Sequence, residues 1–168
     1  DEILRVMKLM DDTMSSFFRG RILIAVIMGV MFAFGWWIAG TPYSLLLGMS
    51  AGLLSIIPYA AAITWPLAIL LSYMSESGSP DGLHLLNVLL WPSVVYVVVQ
   101  LIEGWLLTPW IQGKSVGLNA VTVIIVVFIG AALGGLYGMI LAIPVASCIK
   151  IFFMEVCLPR MRSWVKAR

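Results

Sequence analysis

Between Ile22 and Ser75 the chain runs for 54 residues without a single Asp, Glu, Lys or Arg. About 20 uncharged apolar residues are enough to carry a helix across the ~30 Å hydrocarbon core of a bilayer. Two further charge-free runs follow, Leu83 to Ile102 and Ser115 to Ile149. A soluble domain commonly has about a quarter of its residues charged. Here 11% are charged and 62% are hydrophobic. No soluble core needs such runs, so the chain is expected to be an all-α integral membrane protein.

The 168 residues open on Asp1-Glu2, without an initiator Met and without a basic start ahead of a short apolar region. No signal peptide is read there, and the sequence is expected to be a fragment of something longer. Three regions follow from composition: an amphipathic segment over 1–21, a transmembrane domain over 22–158 and a basic cytoplasmic tail over 159–168. In the first, Ile3, Leu4, Met7, Met14, Phe17 and Phe18 recur at helical spacing among charged residues.

A first full span is expected from Ile22 to Ala39, with Trp36 and Trp37 suiting the interfacial aromatic belt and Gly40-Thr41-Pro42 breaking the helix. Two apolar arms follow, Tyr43–Ile57 and Ala60–Met74, parted by Pro58-Tyr59. Each arm measures only ~22 Å as a helix, which fits a re-entrant hairpin with its tip buried in protein. Gly48 and Gly52 give the first arm a small face for close packing. A second full span, Leu83–Leu107, carries Pro92, where a kink is expected. After a polar connection from Thr108 to Gly117, a second apolar block, Leu118–Val156, is broken by Gly134-Gly135 into another hairpin. Its longer second arm leaves two true crossings open.

Lys and Arg favour the cytoplasmic side of short loops. Arg19 and Arg21 precede the first span, Lys114 follows the second, and Arg160, Arg162, Lys166 and Arg168 close the chain. The N-terminal side, the 108–117 loop and the C-terminus are therefore expected in the cytoplasm. The resulting order is span, hairpin, span, hairpin, with the two hairpins opening to opposite faces. That is the arrangement of an inverted repeat. Gly48 and Gly52 match Gly130 and Gly134 in spacing, and Tyr59 precedes Pro66 as Tyr137 precedes Pro144.

Glu103 lies near the cytoplasmic end of the second span, with Gln100 on its face. Ionisable groups in membrane segments often mark ion or proton paths. The alternative is an interfacial carboxylate paired with Lys114. Pro58 and Tyr59 at one tip, and Gly134, Gly135 and Tyr137 at the other, are candidates for a substrate site, because broken helices expose backbone groups that bind polar solutes. Tight turns alone would also explain them. Cys148 and Cys157 stand ~13 Å apart along a helix, too far for a disulfide. His84 is the one histidine and makes no metal site. No metal, cofactor or catalytic constellation is read, so an enzyme is the least expected class, and no nucleic-acid partner is expected.

An ordered series of motifs resembles a known family. Phe18-Arg19-Gly20-Arg21, Leu45-Leu46-Leu47-Gly48, Ile57-Pro58-Tyr59, Gln100-Leu101-Ile102-Glu103-Gly104, Leu107-Thr108-Pro109, Gly113-Lys114-Ser115-Val116-Gly117-Leu118 and Gly138-Met139-Ile140-Leu141-Ala142-Ile143-Pro144 stand in sequence. Together they resemble the C-terminal half of the autoinducer-2 exporter family of bacterial membrane proteins. The resemblance implies an oligomeric transporter of the bacterial inner membrane. It carries over Glu103, Gly104, Thr108, Pro109, Lys114, Ser115 and Gly117 as motif positions. Ala60-Ala61-Ala62, Trp105, Trp110 and Asn119-Ala120 depart from the family pattern.

Members are linked to export of a quorum-sensing furanone and to sodium/proton antiport. The leading expectation is thus a secondary transporter or exporter of a small autoinducer-2-like solute, embedded in the lipid bilayer and homo-oligomeric. A sodium/proton antiporter and a non-transporting structural subunit are the alternatives.

Overall fold

A computed structural model describes residues 2–77, 84–112 and 119–154. All regular structure among the described residues is helical. The elements are α1 (Glu2–Ile38), α2 (Ser44–Leu54), α3 (Thr64–Glu76, entered through a 3-10 turn at Ala60–Ile63), α4 (Leu85–Ile102) and α5 (Ala120–Phe152). α4 continues into a π-helical segment, Glu103–Gln112. Three stretches are long and apolar enough to cross a membrane: Leu4–Ile38, Leu86–Ile111 and Val121–Phe152. The chain is an all-α membrane protein, in the expected order of span, hairpin, span, hairpin. Lys114, Ser115, Gly117, Cys157 and the basic tail lie outside the described residues.

The chain forms two compact units. One is Gly20–Ile111; the other combines the described parts of Asp1–Arg19 and Gln112–Arg168. α1 is one continuous helix of 37 residues, so the amphipathic segment and the first span are not separate elements. Nothing in Arg19-Gly20-Arg21 breaks it, because a single helical glycine costs only about 1 kcal/mol. α1 stops where the sequence says it should. Gly40 takes a left-handed φ of 71°. The amide of Thr41 reaches back to the carbonyl of Trp36 at 2.9 Å, as in a Schellman ending.

Within Gly20–Ile111 the core is Ile24, Met28, Phe32 and Trp36 of α1, Leu47 and Ala51 of α2, Ala68 of α3, Val99 of α4 and Leu107 beyond it. The α1 set recurs every four residues, a stripe along one helix face. Trp36 corrects the expectation of a belt residue. It is fully buried, and its indole N–H donates to the carbonyl of Pro92 at 3.3 Å. Trp37, by contrast, is exposed. Phe32 stacks on Trp36 at 4.8 Å and on Tyr96 at 6.0 Å, and Tyr96 stacks on Trp65 at 5.5 Å. Such offset pairs add about 0.5–1.5 kcal/mol each beyond their burial, and the row ties α1, α4 and α3 together.

α2 lies against α1 through small residues. A Cβ on Gly52 would stand 2.6 Å from Gly29 Cα and 2.7 Å from the Ala25 carbonyl, and one on Gly48 would collide with the backbone of Ala33. Backbone atoms, not flexible side chains, set these limits, as the small face of the first arm suggested.

In the second unit the chain reverses at Gly134 (φ −141°) and Gly135 (φ 56°). A Cβ on Gly130 would meet the carbonyl of Gly138 and would stand 2.9 Å from Ala142 Cβ. In an unbroken helix, residues twelve apart are ~18 Å apart along the axis. The 32-residue apolar stretch from Val121 to Phe152 is therefore two arms folded on each other, about 21 and 25 Å long at 1.5 Å per residue. Left-handed φ at position 135 is what a glycine allows there. The spacing match between the two Gly-x-x-x-Gly pairs hides different jobs. Gly48 and Gly52 seat one helix on another, whereas Gly130 packs across its own hairpin and Gly134 forms the turn. The tyrosine–proline match is closer in place: Tyr59 and Tyr137 each follow a tip, and Pro66 and Pro144 each lie in the returning arm.

Replacing Gly52 by Val is expected to destabilise the fold by about 1–3 kcal/mol, the usual cost of overpacking. Gly104→Ala, where a Cβ meets nothing within 4 Å, is expected to melt within a degree or two of wild type. Thermal unfolding of both variants in detergent checks this.

Candidate functional site

The tip of the first hairpin has a backbone group that its own turn cannot satisfy. α2 closes with the amides of Ser55, Ile56 and Ile57 bonded to Ala51, Leu53 and Leu54. Pro58 has no N–H to give. Tyr59 sits in the left-handed region at φ 67°, and the amide of Ala60 bonds to Ile57 rather than to Ile56. The Ile56 carbonyl is thereby left without a helical donor, as the last carbonyls of a helix are.

Arg21 supplies that donor. Its Nε bonds to the Ile56 carbonyl at 3.2 Å, and its Nη1 bonds to Glu103 Oε1 at 3.2 Å. The two charged side chains are only 8% and 13% exposed. One guanidinium thus joins three elements: its own α1, the tip after α2, and the first turn of the π-helical segment beyond α4. Planar, always charged and carrying five N–H donors, Arg suits such a junction better than Lys.

The helix changes register at Glu103. Pro109 cannot donate to the carbonyl of Trp105, and its ring crowds that group. The wider π turns through Glu103–Gln112 accommodate it. π-helical turns recur at functional sites because they re-aim side chains. Gln100, one turn earlier, keeps a buried Oε1 with no hydrogen-bond partner. Gly104, Thr108 and Pro109 lie on the π segment, where Gly104 and Pro109 are exposed and Thr108 is half-buried. Trp105 and Trp110 are among the most exposed side chains.

Of the residues singled out from sequence, Pro58, Tyr59, Gln100 and Glu103 belong to the unit Gly20–Ile111, and Gly134, Gly135 and Tyr137 belong to the other. Tyr137 is exposed beside the second turn. Glu103 has Arg21 as its ion-pair partner; Lys114 is outside the described residues. Arg21 is the residue that sequence reasoning undervalued. It is the last basic residue before Lys114, at the edge of the longest charge-free run. That position already put it on the same expected membrane face as Glu103. Among the described residues no cluster of His, Cys, Asp and Glu is able to hold a metal ion.

The family model described as AI-2E family transporter matches residues 1–157. The chain belongs to the AI-2E transporter family. Its relatives include two provisionally named transport proteins of Bacillus subtilis (strain 168). YueF is 32% identical over 92% of this chain, and YrrI is 30% identical over 91%. The provisionally named permease PerM of Escherichia coli (strain K12) is 30% identical over 87% of the chain. Each alignment spans 40% of the relative's own length. No solved structure matches the chain.

Removing one partner of a buried pair strands the other charge, at a typical cost of about 3–5 kcal/mol. Arg21→Met and Glu103→Met are each expected to destabilise by that order, and the double variant by less than either single change. Chemical denaturation of the four proteins closes this double-mutant cycle. Additive losses would show that the two side chains act separately.

Proposed function

We propose that the full-length protein is a secondary transporter that exports a small, oxygen-rich solute of the autoinducer-2 kind across the bacterial inner membrane. The observation that carries this reading is the Arg21–Glu103 pair holding the hairpin tip by the Ile56 carbonyl. The bonds at Nε and one terminal nitrogen leave other guanidinium donors for hydroxyl or carbonyl oxygens of a solute. A solute that competes for Arg21, or a proton that neutralises Glu103, releases the tip. A tip that is free in one state and held in another is what alternating access requires.

On this reading both hairpins are re-entrant. α2 and α3 have 11 and 13 residues, about 16 and 20 Å of helix, short of the ~30 Å hydrocarbon core. Placing Arg21 and Glu103 at the cytoplasmic side follows from the basic residues, with the C-terminus on that side too. The exposed apolar faces of α1 and α4 suit lipid and a homo-oligomeric neighbour. An acid clamped by a guanidinium is a poor ligand for sodium, which favours the exporter over the antiporter.

Flux through proteoliposomes of the full-length protein tests this. Autoinducer-2 efflux driven by a proton gradient is expected, falling at least tenfold in Glu103→Gln while the protein stays folded. Unchanged flux with reduced stability would make the pair structural only. A sodium-dependent pH change without autoinducer-2 flux would turn the reading to antiport. No flux at all would turn it to a structural subunit.

A further inference from the structure

A second polar site lies at the opposite end of the unit Gly20–Ile111. A cavity of about 410 Å³ is lined by Gly40 and Pro42 after α1, by Ser72, Ser75 and Glu76 at the end of α3, and by Asn87, Trp91 and Pro92 in α4. Along α4 and its extension Glu103 is sixteen residues beyond Asn87 and eleven beyond Pro92, about 24 and 16 Å at 1.5 Å per residue, so this is not the site of the ion pair.

The cavity holds polar atoms in need of partners. Glu76 Oε2 and Ser72 Oγ, both from lining residues, are buried with no hydrogen-bond partner. Native structures seldom leave such groups unmatched, and those that remain call for a specific explanation. Among the described residues that line it, Glu76 is the only ionisable one. Between Arg21 and Lys114 the sequence has no Lys or Arg, and Arg21 is engaged with Glu103. No Lys or Arg of the unit is therefore left to meet the carboxylate.

We propose that this cavity binds a small organic cation, an amine or quaternary ammonium that also carries a hydroxyl. The charge balance asks for a positive ligand. The volume sets its size. Cavities of about 300–1,000 Å³ take small molecules, whereas a bare metal ion is held by oxygen atoms closed to about 2.0–2.6 Å around it. Trp91, half exposed on the cavity wall, offers the aromatic face that attracts ammonium groups. Ser72, Ser75 and Asn87 supply hydroxyl and amide groups for the ligand's own hydroxyl. The site stands apart from the flux reading, since binding here needs neither Arg21 nor Glu103.

Equilibrium binding of radiolabelled choline to the full-length protein in nanodiscs tests the assignment, with 3,3-dimethylbutan-1-ol as the uncharged isostere and sodium chloride as competitors. Saturable choline binding is expected, displaced by neither competitor, at least tenfold weaker in Glu76→Gln and several-fold weaker in Ser72→Ala. Glu103→Gln is expected to bind like wild type, which separates this site from the ion-pair site. Thermal melting of Glu76→Gln and Ser72→Ala near that of wild type keeps a binding loss from being a folding loss. Absence of saturable binding, equal competition by the neutral alcohol, displacement by sodium, or wild-type affinity in both cavity variants would each overturn the proposal.

Discussion

A guanidinium buried in a membrane helix has to be neutralised and hydrogen-bonded, and the way Arg21 meets that demand organises the unit around it. Its charge is met by Glu103, and one of its N–H groups is met by a carbonyl that the hairpin turn could not satisfy. Taking either charge out of water costs several kcal/mol, which the pairing offsets only with good geometry and further bonds. The tip residues Ile56 to Tyr59 therefore belong to the ion pair as much as to their own hairpin. Around this polar junction the packing is apolar and close. The α1 stripe of Ile24, Met28, Phe32 and Trp36 forms the core, and glycines let α2 approach α1 to backbone contact.

The architecture was largely legible in the sequence because bilayer physics leaves few choices. Charge-free runs marked the long helices, Gly40-Thr41-Pro42 marked the end of α1, and Pro58-Tyr59 and Gly134-Gly135 marked the two turns. Each signal is local: a missing donor, a left-handed φ, a run length. What sequence reasoning misjudged was long-range. Trp36 and Trp37 are adjacent and chemically identical, yet one is buried against Pro92 and the other is exposed. Helical phase decides which, and phase is fixed by partners elsewhere in the chain. The continuity of α1 through Gly20 was missed for a related reason: its amphipathic and apolar stretches change in composition without changing in backbone.

The candidate site divides the same way. Glu103 stood out as an acid in an apolar helix, whereas its partner, 82 positions away in the chain, was visible only as a marker of membrane side. The Ile56 carbonyl carries no side-chain signature, and the polar cavity near Glu76 is assembled from α3, α4 and the turn after α1, whose serines and asparagine look ordinary one by one. The repeated Gly-x-x-x-Gly spacing pointed to equivalence, but the two pairs are used differently. The tyrosine–proline pairs do keep matching places: each Tyr follows a tip and each Pro lies in the returning arm.

The Arg21–Glu103 pair holds the first hairpin tip by its Ile56 carbonyl. Hydrogen exchange at the tip amides is the direct measurement, comparing wild type with the charge-balanced double variant Arg21→Met/Glu103→Met. The balanced variant removes the anchor without stranding a charge. Faster exchange across residues 55–62, with α4 unchanged, is the predicted result. Equal protection of those amides in both proteins would contradict it, because the tip would then be held by its own turn and the packing around it.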